Sequence, residues 1–386
     1  MFDISIMTWN WQHPDWPTFS WDASQLQKAE ALFLEGAGIA IGVSRHLEEA
    51  DRSRLEVELM SHEAIDTSAI EGETLDRDSV QSSIRRHLGL AGDQRRVKPA
   101  EAGIAEMMVD LYECVTKPLD RATLDRWHRH VVNGRTDLAD IGRYRSGADP
   151  MQIVSGPIHR PKIHFEAPPA ARVDEEMAGF LTWIEQSRPG GSAPITPVTR
   201  AGLAHIWFES IHPFEDGNGR IGRAISEKLL AQGLPTPIVT GMASTLLVHR
   251  KAYYAALERA HGALEITDWL LWFAAKAIEA QRLTLRQVEF VLAKARMMEA
   301  LRGKLNDRQE RALLRMFGAG PDGFAGGLSA ANYMTITSAS TATTTRDLAA
   351  LVGLGALVRT GEQKGARYWL PTAVAPIEPI GVADLA

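Results

Sequence analysis

Cysteine is nearly missing from this chain: Cys114 is the only one among 386 residues. That excludes an intramolecular disulfide and suits a reducing compartment. Set among Met107, Met108, Leu111 and Val115, it reads as a buried, inert thiol. Long hydrophobic runs are absent as well; the longest are broken by Glu, Arg or Gly, so no membrane span and no membrane partner are expected. Met1-Phe2-Asp3-Ile4-Ser5 lacks the basic start and apolar block of a signal peptide, and a cytoplasmic location follows as the expectation. No Gly-Lys-Ser/Thr follows the glycines at 217–219, which excludes a P-loop there.

What is present is an ordinary globular composition, 45% hydrophobic and 23% charged, in a length that allows two or three domains. The formal net charge of −6 is unevenly divided. From Arg282 onward 13 Lys and Arg face 9 Asp and Glu, while the preceding residues carry 29 against 39. An acidic body with a mildly basic last region points to different partners for the two. Four parts are expected: a Trp-rich helical lid over 1–50, a helical core over 51–280, a third domain over 285–371 and a disordered tail over 372–386.

The densest chemistry lies in His212-Pro213-Phe214-Glu215-Asp216-Gly217-Asn218-Gly219-Arg220-Ile221-Gly222-Arg223. Gly217-Asn218-Gly219 can take backbone angles closed to other residues and converge N–H groups on one anion. The run from Arg220 to Gln232 reads as a helix, whose positive end would face the same anion. Arg220 and Arg223, three apart, can both reach phosphate oxygens. His212 is the one group here that titrates near neutral pH and suits a general base. Asp216 is a hard oxygen ligand placed where a Mg²⁺ bridging phosphates would bind.

This string resembles the signature of the Fic family, H-P-F-x-x-G-N-G-R-x-x-R, at every defined position. The resemblance implies transfer of AMP from ATP, with Mg²⁺, onto a Ser, Thr or Tyr hydroxyl of a target protein or of the enzyme itself. It assigns His212 as base and Asp216 to the metal, and places Glu215, Asp216, Gly217, Asn218, Gly219, Arg220 and Arg223 around the nucleotide. Another nucleotide, or removal of AMP, stays open, as does homodimerisation.

Three further segments join the reading. Gly142 to Pro169 shows no helical period, but Met151–Val154 and Lys162–Phe165 look like short strands around a Gly-Pro turn. In the Fic family a β-hairpin flap lies here, holds the target by strand addition, and lines the nucleotide site with residues matching Lys162, Ile163, His164 and Phe165. Tyr253, Tyr254 and His261 fall where the family contacts adenosine, with His261 replacing the usual Asn. Thr67-Ser68-Ala69-Ile70-Glu71-Gly72 reads as a helix end capped by a left-handed glycine. A carboxylate there meets the negative end of the helix dipole and calls for an arginine. The string resembles the family's inhibitory motif, S/T-x-x-x-E-G/N. That likeness implies that Thr67, Glu71 and Gly72 are regulatory and that Glu71 withdraws Arg223 from the ATP γ-phosphate.

After residue 285, Arg308–Phe317, Leu328–Met334 and a Ser/Thr-rich helix through Arg346 precede a hairpin over Leu357–Leu370. The order resembles a winged helix-turn-helix, with DNA or protein binding as alternatives. The expected fold is thus mainly α: a Fic helical core with a β-hairpin flap, plus a C-terminal winged helix-turn-helix. A DNA-binding regulator whose core only senses nucleotide is the rival reading. Clustered Trp9, Trp11, Trp16 and Trp21 are expected to pack the first segment onto the core.

Overall fold

A computed structural model describes residues 8–90, 95–156, 162–321, 323–324, 326–371 and 378–385. In chain order its helices begin with α1 (Ala23–Ser44), α2 (Glu49–Ile70), α3 (Arg77–His87), α4 (Pro99–Glu113) and α5 (Arg121–Val131). A hairpin of β1 (Gln152–Ser155) and β2 (Lys162–Glu166) follows. Then come α6 (Ala170–Gln186), α7 (Pro197–Ile211), α8 (Asn218–Gln232), α9 (Met242–Val248), α10 (Arg250–Ala260) and α11 (Thr267–Ala300). The last elements are α12 (Asp307–Phe317), α13 (Ala330–Thr337), α14 (Thr341–Gly353), β3 (Val358–Thr360) and β4 (Arg367–Trp369).

These elements form two compact units. The first comprises 1–38, 56–281 and 379–386; the second comprises 39–55 and 282–378. Of the expected first segment, residues 8–38 group with the first unit and 39–50 with the second.

At the centre of the first unit α7 packs against α8. Every residue from Val198 to Ile211 is buried, which is why α7 carries apolar residues on all its faces instead of one stripe. The N-terminal segment is tied down at several points. Trp9 meets Phe165 edge-on at 5.4 Å, and the Asn10 side chain donates to Ser210 Oγ at 2.8 Å. Trp11 Nε1 donates to the Glu166 carbonyl at 2.6 Å, and Trp16 Nε1 to Glu176 at 2.7 Å. Trp9 is buried, and half-buried Trp11 and Trp16 satisfy their indole N–H groups, the behaviour expected of packing tryptophans.

The hairpin is antiparallel, pairing Gln152 with Glu166 and Ser155 with Lys162, with a bulge between Ile153 and Val154. The Gly-Pro turn expected between its strands falls largely outside the described residues. The tail departs from expectation. Residues 372–377 and 386 lie outside the description, but 382–385 form a 3₁₀ turn, with Ile380 and Leu385 buried. These two apolar side chains are what a reading by Pro and Ala content overlooks. Cys114 is likewise only half-buried, its Sγ 3.5 Å from Lys117 Nζ.

In the second unit α12, α13 and α14 enclose Leu313, Met316, Tyr333, Leu348 and Leu351. Asn306, Ser329 and Ser340 cap the three helices, each accepting from a backbone N–H in the first turn. Asp347 ties the helices together, accepting from Tyr333 Oη at 3.0 Å and Arg308 Nε at 2.9 Å. β3 and β4 pair antiparallel after α14.

Candidate active site

The site forms where α7 ends and α8 begins. His212 closes α7 in the left-handed region, at φ 50° and ψ 60°, uncommon for a residue with a side chain. Buried Arg145 holds that turn: its Nε donates to the His212 carbonyl at 2.8 Å and its backbone N–H to the Pro213 carbonyl at 2.9 Å. Burial lowers the Arg145 guanidinium to about 10. The His212 ring keeps 15% side-chain exposure, but its Nδ1 faces inward without a partner. Burial, helped by the nearby Arg145 charge, pushes the imidazole down to about 4, so His212 is neutral at physiological pH and free to accept a proton.

The following loop is built around Phe214. Asn218 Oδ1 accepts from Phe214 N at 2.9 Å and its Nδ2 donates to the Phe214 carbonyl at 2.8 Å. The Asn218 side chain thus shapes the loop by closing on both backbone groups of Phe214. Glu215 accepts the N–H groups of Ala139 and Asp140 at 2.8 and 3.0 Å. Gly217 takes φ 81°, and a methyl group there would lie 2.8 Å from Val131 Cγ1, so both angle and space demand glycine. It leads into α8, whose N-terminus has no side-chain cap. Free N–H groups at a helix start are the kind of donor that binds an anion.

The charged residues around this N-terminus are already paired. Asp216 Oδ2 accepts from Arg135 Nη1 at 2.5 Å, and Arg220 Nη1 donates to Glu73 Oε2 at 2.7 Å. Arg223 is held at three points: Nε on Thr67 Oγ1 at 2.7 Å, Nη2 on the Thr67 carbonyl at 2.9 Å and Nη2 on Glu71 Oε1 at 2.7 Å. Burial works against the Arg223 charge, but Glu71 beside it holds the guanidinium firmly protonated. Its Nη1 is buried without a partner. Gly72, at φ 87°, ends α2 as the expected left-handed cap and turns Glu71 toward α8. A methyl group on Gly219 would stand 2.3 Å from Glu71 Oε1, so this carboxylate rests directly on the first turn of α8.

Of the residues expected around adenosine, Tyr254 is 40% exposed, while Tyr253 is buried and bonded to His205 Nε2 at 2.8 Å. Tyr253 thus packs into the interior while Tyr254 reaches the surface, because adjacent helix positions point to different sides. His261 is also buried, stacked on Phe165 at 4.0 Å, with burial lowering its imidazole to about 3. Phe165 is enclosed between His261 and Trp9. On the same strand Lys162 and His164 both reach Glu258, at 3.0 and 3.2 Å, while Ile163 and its cross-strand neighbour Val154 are exposed.

Several site residues carry no motif signal. Arg135 and Glu73 are ordinary charges in sequence, and only proximity reveals that they neutralise Asp216 and Arg220. His128 stacks on Phe214 at 4.2 Å, with Nε2 3.2 Å from the Asp216 carbonyl and Nδ1 accepting from Gly142 N–H at 2.8 Å. Burial lowers it to about 4, and it clamps the loop as a neutral ring.

Residues 118–230 match the Fic/DOC family and residues 9–90 match a domain of unknown function, DUF4172. The chain is 25% identical over 200 residues to protein adenylyltransferase fic-1 of Caenorhabditis elegans, covering 50% of this chain and 35% of that protein. It is 26% identical over 202 residues to protein adenylyltransferase Fic of Nematostella vectensis, covering 51% and 42%. The chain thus spans well under half the length of these curated relatives. A uridine 5'-monophosphate transferase of Xanthomonas campestris is 38% identical over 88 residues, 20% of this chain and 15% of that protein. Among solved structures, a Fic family protein from Desulfovibrio desulfuricans G20 aligns with a TM-score of 0.51 at 23% identity, over 90% of this chain and 97% of that one. Fic-1 of C. elegans aligns at 0.50 and 19%, over 71% and 76%.

Proposed function

Because this chain carries a Fic/DOC-family domain, with the fold of Fic proteins around it, we propose that it is a nucleotidyltransferase moving AMP from ATP onto a Ser, Thr or Tyr hydroxyl of a protein. The observation that carries this reading is a neutral His212 at the end of α7 facing the uncapped start of α8, with Arg220 and Arg223 on its first turns. The hydroxyl oxygen attacks the α-phosphorus, the bond to the bridging oxygen breaks, and pyrophosphate leaves. His212 takes the hydroxyl proton. The α8 N–H groups and the two arginines hold the departing charge.

One hard carboxylate beside an anion site is a donor set that fits Mg²⁺, which keeps phosphate and water ligands for the rest. Asp216 would hold it once Arg135 lets go, and the ion would neutralise phosphate charge. Glu71 is the inhibitory carboxylate in this reading, since it occupies the first turn of α8 and holds Arg223. Exposed Val154 and Ile163 present the hairpin to an extended target segment. The test is transfer of label to protein. ATP labelled at the α-phosphate should label protein, and ATP labelled at the γ-phosphate should not. Incorporation from UTP alone would give the uridylyl reading, which the Xanthomonas relative supports.

A second reading concerns the other unit. The exposed positions of α14 are Thr341, Ala342, Thr345, Arg346, Ala349, Ala350 and Gly353, a face of small residues with two hydroxyls and one arginine, followed by the β3–β4 hairpin. On the winged helix-turn-helix reading this face contacts DNA. Duplex binding should then weaken steeply with salt, and Arg346→Ala should weaken it further. A gel shift without binding at low salt sends this unit to a protein partner.

A further inference from the structure

Between His212 and the core behind it lies a carboxyl group that the transfer mechanism has not used. Glu209 stands one helical turn before His212 on α7, buried, with Oε2 3.7 Å from His212 Nδ1. Both His212 Nδ1 and Glu209 Oε1 are buried without a close hydrogen-bond partner, although the Glu209 backbone also acts on the imidazole. Unsatisfied polar atoms at both ends of one carboxyl–imidazole contact call for a reason. Gly222, an undefined position of the motif, adds one: a methyl group there would come 2.5 Å from Glu209 Oε1. The space between α7 and α8 is therefore kept open for this carboxyl.

We propose that Glu209 is the positioning residue of the catalytic histidine, accepting the Nδ1–H of His212 and so leaving Nε2 with its lone pair toward the incoming hydroxyl. The inference rests on the transferase reading. A base must present an unprotonated nitrogen to its substrate, and which imidazole nitrogen is free is set by the bond the other one makes. The 3.7 Å gap is longer than a hydrogen bond, and such contacts shorten when substrate closes the site. When His212 takes the hydroxyl proton at Nε2, both ring nitrogens carry hydrogen and the ring is cationic. An ionised Glu209 then faces that cation directly, and a neutral Glu209 only accepts its hydrogen bond.

Burial raises the Glu209 carboxyl to about 8, so it is mostly neutral at pH 7 and ionises in the mildly alkaline range. Arg223 on α8 favours its ionisation and Glu71 beyond the end of α2 opposes it; the groups facing His212 itself are Arg145, Glu71, Asp216 and His261. The sign follows. As pH rises through about 8, Glu209 becomes a carboxylate, the imidazolium of the transition state is better balanced, and kcat rises.

Glu209→Gln keeps the volume and an acceptor but cannot ionise. Its kcat should be within about twofold of the unsubstituted enzyme near pH 6.5 and about tenfold lower near pH 9, with KM for ATP little changed. Glu209→Ala, which loses the acceptor, should be slower across the whole range. Histidine labelled at Cε1 supplies a readout that needs no turnover. The His212 signal, identified by its loss in His212→Ala, should step near pH 8 in the native protein and show no such step in Glu209→Gln. A native His212 signal without that step overturns the assignment, as does a Glu209→Gln profile parallel to the native one. If the step is present but no nucleotide is transferred to protein, the transferase reading fails and the His212–Glu209 pair stands.

Discussion

Glu71→Gly should raise AMP incorporation roughly a hundredfold over the native protein. The carboxylate is 2.7 Å from Arg223 Nη2 and rests against Gly219 on the first turn of α8, where an incoming phosphate belongs. Its removal leaves Arg223 with Thr67 alone, and the partnerless Nη1 gains access to a phosphate oxygen. Breaking a partly buried ion pair of this kind changes binding by a few kcal/mol, and about 2.7 kcal/mol at the transition state is a hundredfold in rate. Combining Glu71→Gly with Arg223→Ala should cancel the gain, because the released arginine is what the first change supplies. Labelled ATP and the three proteins suffice to measure it. Equal rates for native protein and Glu71→Gly would reduce Glu71 to the last residue of a capped helix.

His212→Ala should lower transfer by about two to four orders of magnitude while ATP binding persists. On the proposed transfer, the base acts on the attacking hydroxyl, whereas the α8 N-terminus and the arginines act on phosphate, so the loss should fall on kcat and spare KM. The pH profile adds a sign. With the free-enzyme imidazole near 4, protonation removes the base only well below the ordinary histidine range. The acid limb of kcat/KM should therefore lie near pH 4–5, not near 6.5. A limb centred at 6.5 would place the base in a solvated position or on another residue.

How much of this was legible in the chain depended on whether function is written locally. His212 to Arg223 is contiguous, and Glu71-Gly72 announces both a helix end and an unfavourably placed charge, so their pairing with Arg223 could be anticipated. Arg135, Glu73 and Glu209 could not be reached that way. Arg135 and Glu73 are common charged residues whose pairings exist only because distant segments converge, 81 residues apart for Arg135 and Asp216; Glu209 is only three residues from His212, but nothing in its residue type marks it. Tyr253 and His261 occupy positions that match a nucleotide-contacting pattern, yet helix periodicity does not say which side meets the core, and packing holds both inward. The short apolar residues Ile380 and Leu385 were hidden by their Pro- and Ala-rich surroundings.

The partition of the chain has a consequence for inheritance and for engineering. The first unit is assembled from three stretches and the second from two, with junctions at 38/39, 55/56, 281/282 and 378/379. A single recombination event therefore cannot trade one unit for another from a different gene; four junctions must match at once. Truncation after residue 300 would be equally unselective. It would strand 39–55 without the rest of their unit and strip Ile380 and Leu385 from the first.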